Sequence, residues 1–301
     1  MSTTQAEEPT AIALTYTGED GAELGYLSRG TGAPLVCLPG GPGADVRYLG
    51  GLGGLDAHRA LILPDQRATG RSPVPQDRAR CAYTAQARDL EALREHLGVE
   101  ELDLLGHSAA ALTAQEYAAA FPGRVRRLVL VTPVGRVSRE ADEAELAEIK
   151  AGRAGEPWYE AAVAAEAELA AGGVPADRID ELTLRTVPFV WGRWTESARA
   201  LYRQPMDNAP DWYRAAFYAG GPGAEATEDE RSARLARLAA SDAQPLVLAG
   251  GQDGLIGVAP ARLVADLHPG SRLVVFADGG HRLWHEEPER FVDTVLAYLD
   301  A

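Results

Sequence analysis

Apolar residues in this chain fall into short, nearly continuous runs. PLVCLPG (residues 34–40) and RALILPD (residues 59–65) are two of these runs, and LDLLGHS (residues 102–108) and RRLVLVTPVG (residues 126–135) are two more. Unbroken apolar runs of this length are typical of strands that are buried on both faces of a parallel sheet. We therefore expect four such strands.

Helical segments alternate with these strands. Leucines recur at helical spacing in residues 84–98, where Thr84 is the expected N-cap and Gly98 the expected stop. An alanine-rich helix follows the third run, and residues 11–30 predict an antiparallel hairpin that turns at Gly21. Alternation of strand and helix in this order predicts a doubly wound, mostly parallel α/β sheet.

The alternating pattern is interrupted in the second half of the chain. Residues 136–242 are mostly helical in pattern and acidic, and they contain four of the five tryptophans. Strands resume at residues 244–254 and 271–280, and a last amphipathic helix closes the chain. We expect an α/β core formed by residues 1–135 and 243–301, divided by a helical cap of residues 136–242.

Composition narrows the class of protein. The 301 residues are 46% hydrophobic, which is enough for a large core, and the formal net charge of −15 argues against a nucleic-acid partner. No stretch approaches the roughly 20 apolar residues of a membrane span. The start, MSTTQAEEPT, has no signal-peptide pattern, and two cysteines, Cys37 and Cys81, suit a reducing compartment. These observations favour a cytoplasmic protein.

Ser108 is the first candidate for chemistry. It lies where a predicted buried strand ends and a helix begins, the edge at which open α/β sheets bind ligands. A nucleophile elbow needs this strand–turn–helix setting and small residues on both flanks, which Gly106 and Ala110 provide. The alternative interpretation is an ordinary serine that caps the helix.

Two later residues fit the partners that a serine nucleophile requires. Asp253 follows the strand PLVLAGG (residues 245–251), and His281 follows the strand RLVVFADGG (residues 272–280). The order Ser, acid, His, with each partner after a later strand, is the order of a triad in this type of fold. Alternatives remain: Asp253 as a turn residue in an Asp-Gly pair, His281 as a surface residue, and His285 as a rival base. His107 is predicted to pack away from the active face.

The glycine-rich stretch LPGGPGAD (residues 38–45) follows the first of the buried runs. It lacks the Gly-Lys-Ser/Thr of a phosphate-binding loop and the Gly-x-Gly-x-x-Gly pattern. In serine hydrolases of this architecture, a turn at this position supplies one backbone N–H of the oxyanion hole, and the residue after the nucleophile supplies the other. Gly41 and Ala109 are therefore the candidates.

These residues together resemble the prolyl iminopeptidase-like group (peptidase family S33) of the α/β-hydrolase fold. PGGPG (residues 39–43) is similar to that group's His-Gly-Gly-Pro-Gly, and DQRATGRS (residues 65–72) is similar to its Asp-Gln-Arg-Gly-x-Gly-Arg-Ser. The resemblance spans nearly the whole chain. Pro39 stands where the group has histidine, Ala68 replaces a glycine, and Ala109 stands where iminopeptidases often carry tryptophan.

The resemblance also suggests where substrate binds. Iminopeptidases hold the free α-amine of the substrate with glutamates of the cap, and WGRWTES (residues 191–197) loosely resembles their Trp-x-x-Trp-Glu stretch. Trp191 and Trp194, at helical spacing, and Glu196 are therefore candidate substrate-binding residues, with core packing as the alternative for the tryptophans. Other carboxylates with the same candidate role are Glu160, Asp207 and Asp211.

The function predicted from the sequence is that of a serine hydrolase with Ser108, His281 and Asp253 as triad. The favoured activity is release of an N-terminal proline or a similar small residue from a peptide. The alternatives are an esterase, lactonase or amidase for substrates without a free amine and, more remotely, a catalytically silent relative that binds a small molecule. We expect no metal and no cofactor, since no metal-ligand spacing is present.

Overall fold

The computed structural model describes residues 10–221 and 227–301. In these residues, eight strands form one sheet, in the spatial order β1-β2-β4-β3-β5-β6-β7-β8. The strands are β1 (Ile12–Thr17), β2 (Glu23–Arg29), β3 (Pro34–Leu38), β4 (Ala60–Pro64), β5 (Leu102–His107), β6 (Val125–Val131), β7 (Leu246–Gly250) and β8 (Arg272–Phe276). Each strand falls within a segment for which the sequence predicts one, except that β6 begins one residue earlier, at Val125.

The sheet is parallel except at one end. β1 pairs with β2 and β2 pairs with β4 in antiparallel register, whereas all pairs from β4 to β8 are parallel. The predicted hairpin and the predicted doubly wound, mostly parallel sheet are both confirmed. β5 lies between β3 and β6 and is buried along its whole length, so its carboxyl end opens at the middle of the sheet edge.

Helices cover both faces of the sheet. They are α1 (Tyr83–Leu97), α2 (Ala110–Ala120), α3 (Glu143–Ala151), α4 (Tyr159–Ala171), α5 (Ala176–Thr186), α6 (Glu196–Leu201), α7 (Tyr213–Tyr218), α8 (Glu228–Ala239), α9 (Ala259–Leu267), α10 (Leu283–Glu286) and α11 (Pro288–Leu299). Helices α3 to α8 lie between β6 and β7, and the described part of that segment contains no strand. The division into a core and a cap of residues 136–242 stays a prediction.

The start of α1 differs from the expectation. Thr84 is the second residue of the helix and not its N-cap, which is Ala82. A short 3-10 turn (Arg78–Cys81) leads directly into an extended Ala82, and the fully buried Tyr83 then begins the helix. The predicted stop is confirmed, because Gly98 adopts the left-handed conformation, with φ of 67°, that ends many helices.

A third apolar cluster lies over the carboxyl end of β5, apart from the two that line the faces of the sheet. Tyr213 and Phe217 of α7 pack in this cluster with Ala109, Val134 and Ile256. Full burial of side chains as large as Tyr213 and Phe217 stabilises the fold by about 1.5–3 kcal/mol each. Helix α7 is therefore held against the end of the sheet that carries Ser108.

Candidate active site

Ser108 occupies a strained turn between β5 and α2. Its φ of 56° lies in the left-handed region, which a residue with a side chain adopts rarely. Its backbone N–H donates to the carbonyl of Val131 at 2.9 Å, and its carbonyl accepts from the N–H of Ala111 at 3.1 Å. These bonds anchor the turn to β6 on one side and to α2 on the other. The structure thus gives Ser108 the backbone conformation that a nucleophile elbow needs.

The flanks of Ser108 must be small. A Cβ on Gly106 would lie 3.1 Å from the carbonyl oxygen of Ala110 and 3.1 Å from Cβ of Ala114. Ala110 itself is fully buried in the first turn of α2, so alanine fits the second flank. Within the described residues, Ser108 Oγ makes no hydrogen bond, and the N-cap of α2 is Ala109. The helix-cap alternative for Ser108 therefore has no support in the geometry.

Asp253 and His281 are brought together at the same edge of the sheet. Nδ1 of His281 lies 2.6 Å from Oδ2 of Asp253, and both side chains are almost completely buried. The other carboxylate oxygen, Oδ1, accepts from the backbone N–H groups of Leu255 at 3.0 Å and Ile256 at 3.1 Å. Because both oxygens have partners, the carboxylate is fixed in one orientation toward the imidazole.

The segment before Trp191 contributes main-chain contacts to both of these loops. The backbone N–H of His281 donates to the carbonyl of Val190 at 2.7 Å. The backbone N–H of Gly254, next to Asp253, donates to the carbonyl of Phe189 at 2.9 Å. A 3-10 turn within the predicted cap therefore helps to hold the loops of both His281 and Asp253.

Glu286 makes a second connection between the loop of His281 and the segment around Trp191. Its Oε2 accepts from the N–H of Gly280 at 2.7 Å, and its Oε1 accepts from the N–H of Arg193 at 2.8 Å. Burial raises the pKa of this carboxyl group, although the backbone donors oppose that effect. Glu286 thus ties the loop of His281 to the stretch that follows Trp191.

His107 is buried, in keeping with the packing role expected from the sequence, but it also contacts the loop of His281. Its Nε2 lies 3.1 Å from the carbonyl oxygen of His281, and the two rings are 4.7 Å apart. Its Nδ1 lies 2.5 Å from the hydroxyl of Tyr48, which also accepts from the N–H of Gly40 at 2.7 Å. Burial, with a further contribution from His281, holds the pKa of His107 well below its ordinary value, so the ring is neutral.

The two predicted oxyanion donors have free backbone N–H groups. Within the described residues, neither Gly41 N nor Ala109 N donates a hydrogen bond to the protein. The loop of Gly41 is held by Gln66, whose Oε1 accepts from Gly43 N at 3.0 Å and whose Nε2 donates to the carbonyl of Pro39 at 3.2 Å. Gln66 belongs to the stretch DQRATGRS (residues 65–72), and the loop that it holds is the stretch PGGPG (residues 39–43). The two stretches that resemble the iminopeptidase-like group are therefore in direct contact.

The other residues of DQRATGRS (residues 65–72) form ion pairs and turns that stabilise the fold. Arg67 forms a buried ion pair with Asp89, with Nε 2.7 Å from Oδ2, and a second one with Asp20. Asp65 accepts from the backbone N–H of Arg71 at 3.1 Å. Ala68 has φ of 62°, which explains why glycine is usual at this position in the group that the motif resembles.

Trp191 and Trp194 lie near each other, but not on a helix. Trp191 is extended, with φ of −111° and ψ of 141°, and the two ring centroids are 6.4 Å apart. The helical spacing assumed from the sequence is wrong, since Trp191 is extended and the next helix begins only at Glu196. Gly192, between the tryptophans, passes close to another loop, where a Cβ would meet the carbonyl oxygen of Asp278 at 2.0 Å. Trp191 lines a cavity of about 260 Å³ with His285 and other residues, and Ser108 is not among them.

The candidate amine-binding carboxylates are exposed. Glu196 begins α6 and forms an ion pair with Arg203 at 2.9 Å, with both side chains largely in solvent. None of the contacts in the structure joins Glu196 to Ser108, Asp253 or His281 within the described residues. The other three carboxylates considered from the sequence, Glu160, Asp207 and Asp211, are exposed as well.

Two other kinds of feature, a metal site and a membrane-spanning helix, are absent from residues 10–221 and 227–301. No group of three or more His, Cys, Asp and Glu side chains in these residues is placed to hold a metal ion. None of the helices in the same ranges has the length and hydropathy that a bilayer-spanning helix requires.

Comparison with known proteins identifies the family. The family model described as alpha/beta hydrolase fold matches residues 33–288, which include both flanks of the interrupted sheet. The chain belongs to the alpha/beta hydrolase fold family. Its sheet order and the left-handed turn at Ser108 are in keeping with that family.

Relatives within the family have different activities. A proline iminopeptidase of Lactobacillus delbrueckii subsp. lactis is 39% identical over 103 residues, which are 33% of this chain and 35% of that relative, so the chain spans about a third of the relative's length. An esterase structure from Thermogutta terrifontis superposes with a TM-score of 0.65 at 25% identity, covering 97% of this chain and 98% of that chain. A hydrolase from Bacillus anthracis has a TM-score of 0.70 at 15% identity, covers 96% and 99%, and shows the shared fold alone.

Proposed function

We propose that Ser108, His281 and Asp253 form a catalytic triad that hydrolyses a small carboxylic ester, lactone or amide through an acyl-enzyme. The observation that carries this proposal is the 2.6 Å contact between His281 and an Asp253 carboxylate whose second oxygen is held by two backbone N–H groups. A serine needs a base that takes its proton and a third group that orients the base. Asp253 has the position and the burial that such an orienting group requires.

The steps follow from the placement of these groups. Asp253 accepts from Nδ1–H of His281, which leaves Nε2 unprotonated and able to take the proton of Ser108 as Oγ attacks the carbonyl carbon. The negative charge that develops on the carbonyl oxygen is stabilised by the N–H groups of Gly41 and Ala109. Loss of one such donor typically costs about 3–4 kcal/mol of transition-state stabilisation.

Collapse of the tetrahedral intermediate completes the first half of the reaction. His281 gives its proton to the leaving oxygen or nitrogen, and the acyl group remains on Ser108 as an ester. A water molecule then loses a proton to His281 and attacks this ester through a second tetrahedral intermediate. The proton returns to Ser108, and the acid product leaves.

The surroundings of Ser108 favour a substrate without a free amine. The apolar cluster of Ala109, Val134, Ile256 and Phe217 is fully or almost fully buried at this end of the sheet. The carboxylates suggested by the iminopeptidase resemblance are exposed instead, and Glu196 is paired with Arg203. The likeness to the Thermogutta terrifontis esterase supports the ester class. An ester or lactone with an apolar acyl group therefore fits best.

Release of an N-terminal proline is the second candidate. It is supported by the PGGPG motif (residues 39–43) and by the 39% identity to a proline iminopeptidase over a third of the chain. This activity requires a carboxylate for the substrate's α-amine. Glu196 is the first residue to test in that role.

Two substrates separate the candidates. Wild type, Ser108→Ala and the control Ser232→Ala, which changes an exposed serine of α8, are assayed with a short-chain 4-nitrophenyl ester and with proline 4-nitroanilide. Each protein is also treated with a fluorophosphonate, which labels an activated serine. A Glu196→Gln variant is added for the anilide, since loss of an amine-binding carboxylate raises KM for that substrate alone.

The expected result is ester hydrolysis and fluorophosphonate labelling by wild type and Ser232→Ala, with both lost in Ser108→Ala. Efficient cleavage of the anilide, weakened in Glu196→Gln, would replace the ester proposal with the iminopeptidase. Absence of labelling in the wild type would overturn the triad itself.

A further inference from the structure

A chain of hydrogen bonds runs behind Ser108 and joins the loop of Gly41 to the loop of His281. It starts at the N–H of Gly40, which donates to the hydroxyl of Tyr48 at 2.7 Å. It continues over 2.5 Å from Tyr48 to Nδ1 of His107, and over 3.1 Å from Nε2 of His107 to the carbonyl oxygen of His281. Three loops that are far apart in sequence are thus connected by two side chains.

The direction of each hydrogen bond in this series can be assigned by starting from the carbonyl oxygen of His281. The carbonyl oxygen of His281 is only an acceptor, so Nε2 of His107 carries a proton and donates. The ring is neutral, so Nδ1 has no proton and accepts from the Tyr48 hydroxyl. That hydroxyl then has lone pairs left for the N–H of Gly40. Each of the three hydrogen bonds then has one donor and one acceptor, and the tautomer of His107 is fixed as Nε2–H.

The surroundings of His107 keep this arrangement in place. The side chain is 3% exposed, and the ring of Trp284 packs edge-on against it with centroids 4.9 Å apart. Burial disfavours a protonated His107 most, and the charge of Arg282 disfavours it further; the other titratable groups near the ring are His281, His285 and the Tyr48 hydroxyl. Protonation of Nδ1 would place a second donor in front of Tyr48.

We propose that Tyr48 and His107 are positioning residues that brace His281 against the oxyanion loop. The carbonyl of His281 is held by His107 and by the hydroxyl of Thr132 at 3.1 Å, which fixes the main chain from which the imidazole extends. At the other end, the bond to Tyr48 fixes Gly40 and leaves the next N–H, that of Gly41, free for substrate. The inference rests on the proposed serine hydrolase function.

Four variants test the brace. Tyr48→Phe removes the hydroxyl, His107→Leu removes both hydrogen bonds, and His107→Gln retains an N–H donor for the His281 carbonyl. Tyr117→Phe is the matched control, because Tyr117 is fully buried and donates to Glu91 at 2.7 Å, with no hydrogen bond to the site. For each variant kcat, KM, Tm and the pH dependence of kcat/KM are measured with the short-chain nitrophenyl ester.

A displacement of a catalytic group by about 1 Å costs up to about 100-fold in rate. We expect Tyr48→Phe and His107→Leu to lower kcat by about 10- to 100-fold with little change in KM, and His107→Gln to recover most of the loss. The pH dependence of kcat/KM should also differ from that of the wild type, because the position of the His281 imidazole beside Asp253 changes. Tyr117→Phe should change Tm without changing kcat or the pH dependence.

A second measurement does not depend on turnover. The ¹⁵N chemical shifts of the His107 ring in the intact wild-type protein should report the Nε2–H tautomer, and Tyr48→Phe should perturb them. Observation of the Nδ1–H tautomer would overturn the brace, as would a Tyr48→Phe variant with kcat and pH profile equal to those of Tyr117→Phe. Failure of the hydrolase proposal appears separately, as absence of fluorophosphonate labelling in the wild type.

Discussion

Gly40 and Ser108 pack so closely that a methyl group on Gly40 would lie 2.7 Å from Cβ of Ser108. It would also lie 2.9 Å from the carbonyl oxygen of His107. Contacts this short require a shift, and both neighbours belong to the elbow. We expect Gly40→Ala to lower kcat for the ester by about 100-fold, since small displacements of reacting groups are costly.

The matched control for this change is Gly155→Ala, where an added Cβ meets no atom within 4 Å. Steady-state kinetics and Tm of the two variants are compared with wild type. Equal kcat in Gly40→Ala and Gly155→Ala would contradict the tight fit at the elbow.

Asp253→Asn tests the orientation of His281. The amide oxygen must face the N–H groups of Leu255 and Ile256, so the NH₂ group faces Nδ1 of His281. His281 is then forced into the tautomer with the proton on Nε2, which cannot accept a proton from Ser108. By analogy with the same substitution in other triads, we expect kcat to fall by about 10⁴-fold.

The control is Asp229→Asn, which changes an exposed carboxylate in the first turn of α8. Stopped-flow measurement of the acylation burst separates formation of the acyl-enzyme from its breakdown. A burst in Asp253→Asn at the wild-type rate would show that Asp253 does not orient the base.

Glu116 and Arg234 form an ion pair between α2 and α8 in which each residue is 6% exposed. Burial raises the pKa of Glu116, but a hydrogen bond from Arg237 at 2.7 Å and the charge of Arg234 outweigh it and hold the pKa below its ordinary value. A lowered folded-state pKa gives stability above the unfolded-state value of about 4.3, and that stability is lost as the pH falls through the folded-state pKa.

Glu116→Gln should therefore lower the free energy of unfolding by about 3 kcal/mol at neutral pH, because it leaves a buried guanidinium without its charge partner. The deficit should shrink as the pH falls below about 4.3 and through the lowered pKa of the folded state, where the wild-type carboxyl also becomes neutral. Urea unfolding at several pH values measures both. Glu101→Gln, at an exposed site, is the control, and a deficit that stays constant with pH would contradict the assignment.

The two cysteines should be inert in the native protein. Cys37 and Cys81 are both 0% exposed, and burial raises the pKa of Cys81 to about 11 and that of Cys37 further. The thiolate is the reactive form, so both are protected by access and by protonation. Ellman's reagent should react with neither thiol until the protein is unfolded, and then with two. Rapid reaction of one thiol under native conditions would contradict this burial.

The sheet and the elbow could be predicted because their information is local. Strands buried on both faces appear as continuous apolar runs, and Ser108, Asp253 and His281 each follow one of the predicted strands. The stop at Gly98 was predictable for the same reason, since a left-handed residue favours glycine. The N-cap at Ala82 was not, because it depends on the 3-10 turn (Arg78–Cys81) that leads into it.

The part played by His107 could not be predicted from its neighbours in the sequence. Its partner Tyr48 is 59 residues away, and its other partner is the main chain of His281. A carbonyl oxygen belongs to every residue type, so no pattern of side chains marks it. The same holds for Val190, which reaches His281 through its carbonyl.

The contact between the Val190 carbonyl and the N–H of His281 limits which segments can be exchanged between homologous proteins. Val190 and Phe189 belong to the segment between β6 and β7, yet their carbonyls hold the N–H groups of His281 and Gly254. A chimera that receives a foreign segment here would change the support of the acid and the base even if the sheet were untouched. Crossover points for grafting should therefore leave residues 187–193 with the parent that provides Asp253 and His281.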